Sequence, residues 1–137
     1  MSTPRPAALT TGASGRVEMT VTDTDTAIAL RSGDVPVLAT PGVVRLAEEA
    51  TVVAVAGRLP PGTTTVGQRV QLDHVEPTPV GGHIRAEAIL EAIKGRRLTF
   101  RIAVNDDHGL VAAGRITRVV VERDRFMDKA AGSGGAG

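Results

Sequence analysis

Thr40-Pro41-Gly42-Val43-Val44-Arg45-Leu46-Ala47-Glu48-Glu49-Ala50-Thr51-Val52-Val53-Ala54-Val55-Ala56-Gly57 is the stretch on which the fold turns. Its apolar residues recur at helical spacing, so Val43, Leu46, Ala47, Ala50, Val53 and Ala54 fall on one broad face. Thr40 suits the N-cap, and Pro41 suits the first helical position, where its missing N–H costs nothing. The spacing predicts a helix through Ala56 that stops at Gly57, with Pro60-Pro61-Gly62 barring its continuation. The opposite side is not simply polar, because Val44, Val52 and Val55 surround Glu48. Arg45 and Glu49 are four apart and can pair at its edge. A helix apolar almost all round is usually covered on more than one side.

Outward from this helix the chain reads as strands. Arg16–Thr22 alternates, with Val17, Met19 and Val21 inward. Residues 64–75 form a strand in which Val66, Val70 and Leu72 share a face, and His74 points the same way. In His83–Lys94 the shared face is Ile84, Ala86, Ala88, Leu90 and Ala92. After Lys94-Gly95-Arg96 it is Leu98, Phe100, Ile102 and Val104. After Asn105-Asp106-Asp107-His108-Gly109 a last strand runs from Leu110 to about Arg123, with Leu110, Ala112, Ile116, Arg118 and Val120 on one face. Both short connections read as hairpin turns. The order of strand, helix and four strands predicts an α+β fold, an antiparallel sheet with one long helix packed on it.

The 137 residues suffice for one domain. Residues 1–15 read as a loose lead-in, 16–129 as the domain and 130–137 as a flexible Gly-rich tail. The tail matches G-x-G-x-x-G, but no strand leads into a following helix there, which excludes a dinucleotide site. Two Phe, no Tyr and no Trp leave a core of Val, Ala, Leu and Ile, and no stacking platforms for single-stranded nucleic acid. A net charge of +1 provides no field to draw phosphate backbones, so no nucleic-acid partner is expected. Zero cysteines exclude disulfides and thiolate chemistry. No signal-length or membrane-length apolar run occurs, so the expectation is a cytoplasmic protein without a membrane partner.

Among the chemically active side chains His74 comes first. A histidine on an apolar strand face is either a satisfied core residue or part of a site. Asp73 should face the other way and cannot orient it. His83 and His108 lack metal-ligand spacing to His74, so no metal is expected. Glu48, between Val44 and Val52, needs a partner for its charge, and Arg118 on an inward strand face can supply one, as a structural ion pair or as part of a site. Thr40 has sufficient reason to exist as an N-cap. Ser14, Ser32 and Ser133 lack a nucleophile elbow.

Taken together, Ala39-Thr40-Pro41-Gly42, Glu48-Glu49-Ala50, Gly67 through His74, Thr78-Pro79-Val80-Gly81, Gly95-Arg96-Arg97-Leu98-Thr99-Phe100-Arg101 and Gly114-Arg115-Ile116-Thr117-Arg118 resemble the hotdog-fold thioesterases of the fluoroacetyl-CoA thioesterase-like branch. The likeness runs from about residue 35 to Phe126. It implies a hotdog fold, a sheet wrapped around the helix, and a homodimer with its site at the subunit interface. It implies an acyl-CoA substrate, a short or medium acyl chain, no cofactor, and hydrolysis to free acid and CoA. By this resemblance Thr40, Glu48 and His74 are catalytic, Gly42 and Gly67 bind substrate, and Arg118 supports Glu48. His74 would serve as general acid or base, and the helix N-terminus near Thr40 and Gly42 would offer free N–H groups to an oxyanion. Glu48 would be the nucleophile, or activate Thr40 or a water. Lys94, Arg96 or Arg97 would meet the CoA phosphates. The family's specialised enzyme has an aromatic lid upstream of the helix; residues 29–38 here contain no Phe, which points away from a fluorinated acyl group. A non-catalytic acyl-CoA-binding module and an enoyl-CoA hydratase-type enzyme are the alternatives on the same fold.

Overall fold

The strands are β1 (Ser14–Thr20), β2 (Thr63–His74), β3 (His83–Lys94), β4 (Arg97–Asp106) and β5 (Gly109–Glu122). In the computed structural model, which describes residues 8–132, they form one antiparallel sheet in the order β1-β3-β4-β5-β2. Three helices accompany them: α1 (Ala27–Leu30), α2 (Thr40–Val55) and α3 (Arg123–Ala130). The expected α+β fold is the observed one. The sequence pattern marked α2 alone; α1 is a single turn, and α3 buries no residue, so neither carries a core stripe that periodicity can find.

Helix α2 packs chiefly on β1 and β3. Leu46, Ala47, Ala50 and Ala54 meet a sheet face made by Ile84, Ala86, Ala88, Leu90, Phe100 and Ile102, all buried. Fully burying a side chain such as Leu46 or Phe100 contributes about 1.5–3 kcal/mol. Small side chains let the helix come close. At Gly15 the approach is closest: a Cβ there would run into the carbonyl oxygen of Ala50 and the amide nitrogen of Ala54. The sheet therefore starts earlier than expected. Ala13 is buried and bonded to Leu90, and Gly15 lies in β1, although both fall in the stretch read as a lead-in. Residues 1–7 of that stretch and 133–137 of the tail lie outside the described residues.

Three bulges redirect side chains that strict alternation misplaces. The register of β2 against β5 shifts between Gly67 and Arg69. Val70, Leu72 and His74 pair with Ile116, Gly114 and Ala112 on the helix side, as expected, but Val66 pairs with Val119 and faces out. Thr65 and Gly67 take the inward place instead, opposite Val120 and Arg118. A shift between Leu90 and Ala92 likewise turns Ala92 away from the face of Leu90 and brings Ile93 opposite Leu98. A third, between Val104 and Asn105, leaves Leu110 48% exposed while Val111 is buried. The remaining inward sets, in β4 above all, lie where alternation puts them.

Ahead of α2, residues 23–39 fold back on themselves. A 3₁₀ turn at Asp23–Asp25 leads into α1, whose C-cap Arg31 is left-handed at φ 58°. The return limb is tied down at Ala27 N–H to Val37 O (2.9 Å), Leu38 N–H to Thr78 O (2.9 Å) and Ala39 N–H to Asp25 O (2.9 Å). This sets the position from which α2 begins.

Candidate active site

The N-terminus of α2 differs from the expected cap. Ala39 occupies the N-cap, Thr40 and Pro41 are the first two helical residues, and no side chain caps the helix. Freed from capping, Thr40 Oγ1 lies 2.8 Å from His74 Nδ1. Residues 34 apart in sequence thus form one hydrogen-bonded pair at the junction of helix start and strand end. His74 Nε2 is buried and has no hydrogen-bond partner among the described residues. A buried ring nitrogen left unpaired is costly, on the order of 1–3 kcal/mol, so it marks a group suited to an external partner.

Gly42 lies in the first turn of α2, as the resemblance implied, but its N–H is not free. It is buried beneath Leu38, its N–H donates to Ala39 O (3.0 Å), and Val43 N–H donates to the same oxygen (3.1 Å). Pro41 has no N–H. The first-turn N–H left outside the helix's own bonding is that of Thr40 itself. Gly42 thus serves close packing, while the helix N-terminal dipole still favours negative charge at Thr40.

Glu48 stands two turns further along, about 12 Å up the helix axis at 1.5 Å per residue. Its Oε2 accepts from Arg118 Nη1 at 3.1 Å. The guanidinium is buried and held by two further bonds, Nε to Thr65 Oγ1 (2.9 Å) and Nη2 to Thr65 O (3.0 Å). Burial pulls the Arg118 pKa below its usual value; the Glu48 charge and hydrogen bond oppose this. Gly67 completes the arrangement. A Cβ there would lie 2.6 Å from Glu48 Oε2, so only glycine leaves room for the carboxylate. The bulge after Gly67 is what turns this residue, and Thr65, toward the helix.

Thr40 and Glu48 line one open cleft of about 810 Å³ with Pro41, Val44, Val52, Val53 and Arg118. Its walls are mostly apolar, with polar groups gathered at two stations: Thr40 at one end, hydrogen-bonded to His74 behind it, and Glu48–Arg118 beyond Val44. Within one chain Glu48 bonds to Arg118 and to neither member of the first pair. Arg45 and Glu49 sit at the rim and form no ion pair with each other. Contrary to the expected faces, the core takes Val55 (3% exposed) in place of Val53; Val52 and Val53, 48% and 46% exposed, leave the second side of the helix uncovered in the single chain.

The other candidates stand elsewhere. Asp73 is exposed on the outer face, so it does not orient His74. His83 Nε2 lies 3.4 Å from Glu18 Oε2, and His108 sits in the β4–β5 turn. Among the described residues no group of three or more His, Cys, Asp or Glu is placed to hold a metal ion. Lys94, Arg96 and Arg97 are exposed around the β3–β4 turn. Sequence reading missed Thr65, which fixes Arg118; its one signal is a hydroxyl in an otherwise apolar inward row, visible only once the bulge is known.

Comparison with known proteins bears on this geometry. The profile of the fluoroacetyl-CoA-specific thioesterases matches residues 21–124. The fluoroacetyl-CoA thioesterase of Streptantibioticus cattleyicolor is 33% identical over 93 residues, covering 68% of this chain and 67% of that protein. The solved structure of the fluoroacetyl-CoA thioesterase FlK superposes with a TM-score of 0.85 at 27% identity, over 90% of this chain and 96% of that one. A single-substitution mutant of FlK, crystallised with fluoroacetate and CoA, gives 0.80 at 27% identity, over 86% and 99%. A thioesterase-superfamily protein of Thermus thermophilus shares the fold, with a TM-score of 0.81 at 24% identity over 98% of both chains.

Proposed function

Because the chain belongs to the fluoroacetyl-CoA-specific thioesterase family, we propose that it hydrolyses an acyl-CoA thioester to free acid and CoA in the cleft along α2. The observation that carries this reading is the Thr40–His74 hydrogen bond at the head of an apolar cleft that also presents a carboxylate. The thioester carbonyl is held at the helix N-terminus, where the Thr40 N–H and the helix dipole favour a developing oxyanion. The carbonyl carbon is attacked by a water that passes its proton to Glu48, or by the Glu48 carboxylate itself, whose mixed anhydride a water then hydrolyses; the C–S bond breaks. The departing thiolate takes its proton from His74. Each of these uses of Glu48 at the helix N-terminus, and likewise activation of Thr40 by Glu48, would require a contact that the single chain does not make, the two residues lying about 12 Å apart along α2. Arg118, pinned by Thr65, aims Glu48, and Gly67 leaves it space.

The active unit in this proposal is a homodimer in the cytoplasm. Supporting it are the unpaired outer edge of β2, with Val70 40% exposed, and the uncovered Val52–Val53 flank of α2. The unpartnered His74 Nε2 suits a group that arrives with the substrate or a second chain. The acyl group is short or medium and not specifically fluorinated. The segment leading to Thr40 exposes aliphatic Ile28, Leu30 and Val35 and carries no aromatic side chain.

The test is thiol release across acyl-CoA chain lengths, with fluoroacetyl-CoA beside acetyl-CoA. His74→Ala and Glu48→Gln should each lower the rate by about 10²-fold or more, the usual worth of a positioned acid–base group. Full rates in both variants would remove the assignment of the site. Strong preference for the fluorinated substrate would overturn the reading of the acyl group.

A further inference from the structure

We propose that Asp106 and Thr78 form a positioning joint that sets the Thr40–His74 hydrogen bond. Neither residue touches the cleft. Asp106 ends β4, is buried, and accepts twice: from Thr78 Oγ1 at 2.9 Å and from His108 N–H at 2.8 Å. Thr78 is fully buried. Its carbonyl oxygen accepts from Leu38 N–H at 2.9 Å, and the next residue, Pro79, bridges to Val37. Leu38 is two residues ahead of Thr40, and Thr78 is four residues after His74.

The joint therefore sits between both members of the pair. On one side, His74 leaves β2 with Val75 N–H bonded to Val111 O at 2.8 Å. On the other, the limb entering α2 hangs on the Thr78 backbone. Gly82 shows how little slack exists: a Cβ there would lie 2.5 Å from Thr78 Cγ2 and 3.0 Å from Pro79 O. If Thr78 shifts, Leu38 shifts with it, and the helix start moves relative to a histidine held from the other direction. Misplacement by about 1 Å from outside the chemistry can cost as much as 10²-fold in rate.

The proposal rests on the Thr40–His74 reading of the site, so its test includes a measurement that does not depend on catalysis. Thr78→Val keeps the shape of the side chain and deletes the hydroxyl. It should lower kcat about 10-fold or more, leave KM within about twofold, and shift the His74 imidazole ¹⁵N resonances as the Thr40 bond loosens. Thr78→Ser should recover most of the rate. Should Thr78→Val fold poorly, Thr78→Ala takes its place: it deletes the hydroxyl without setting a methyl against the Asp106 carboxylate, and should give the same fall in kcat and the same displaced His74 resonances. Unchanged His74 resonances in Thr78→Val, or in Thr78→Ala where that variant is used, would overturn the joint whatever the activity. A fall in Tm with kcat retained would also overturn it, leaving a purely structural contact. Activity surviving in His74→Ala would instead sink the site reading and leave the resonance test of the joint standing.

Discussion

Gly67 is a residue whose worth lies in what it lacks. A methyl group there would press on Glu48 Oε2 from 2.6 Å, and the carboxylate, at the end of a flexible side chain, would swing away. Gly67→Ala should therefore leave the melting temperature within a few degrees while lowering thiol release about tenfold, equivalent to about 1.4 kcal/mol of transition-state binding. Wild-type turnover in this variant would show that the Glu48 position is not critical. Asp106 shows the opposite economy, a charge kept inside. Burial alone would raise its pKa, but the His108 N–H, the Thr78 hydroxyl, the nearby His108 ring and the Gly109 N–H outweigh it, and the carboxyl lies below its usual 3.8. A carboxyl depressed in the folded state stabilises the fold above the unfolded pKa, and that contribution disappears as pH falls through the folded value. Urea titrations of wild type and Asp106→Asn should thus differ by a constant amount above about pH 5 and converge below about pH 4, near the ordinary carboxylate range. A difference that stays constant down to pH 2 would contradict the depressed value.

Elements were legible to the extent that they carry a core face. The period of α2 and the alternation of β4 identify both, because each buries one stripe along its whole length. The bulged strands were legible only between their irregularities. Nothing in Val66-Gly67-Gln68-Arg69 announces the shift, since a bulge here inserts an ordinary glutamine. Thr40 was ambiguous for a physical reason: a threonine at a helix start can cap or project, and a partner 34 residues away decided which. Gly15 makes the contact between β1 and α2 testable. Gly15→Ala forces a methyl against backbone atoms of Ala50 and Ala54, which cannot rotate away. Overpacking of this kind costs about 1–3 kcal/mol, read as a lower urea midpoint at unchanged slope. A neutral result would mean that β1 can retreat from the helix freely.

For the molecule as a whole, the helix tells most. One side of α2 is buried in its own sheet; the other exposes Val52, on the side of the long unpaired strand edge at β2, and Val53, next to Gly15 of β1. Such an edge attracts pairing. Light scattering at micromolar concentration should give twice the 14.1 kDa of the chain. A monomer would leave the cleft open to water on one side and argue against a site between subunits. The composition hinted at this assembly only indirectly, through a helix too apolar for one sheet to cover.

The bulge at Gln68 also bears on how such a chain tolerates change in length. Gly67 and His74 are separated by an odd number of positions, yet both look toward the helix. Straightening the strand with Gln68 kept would place the glycine that shelters Glu48 on the side opposite the histidine, whereas removing Gln68 together with the bulge leaves an even separation and both still facing the helix. The two polar stations are thus kept in phase by a bulge that absorbs one extra residue. Relatives that keep both stations must keep the extra residue and the bulge together, or lose them together.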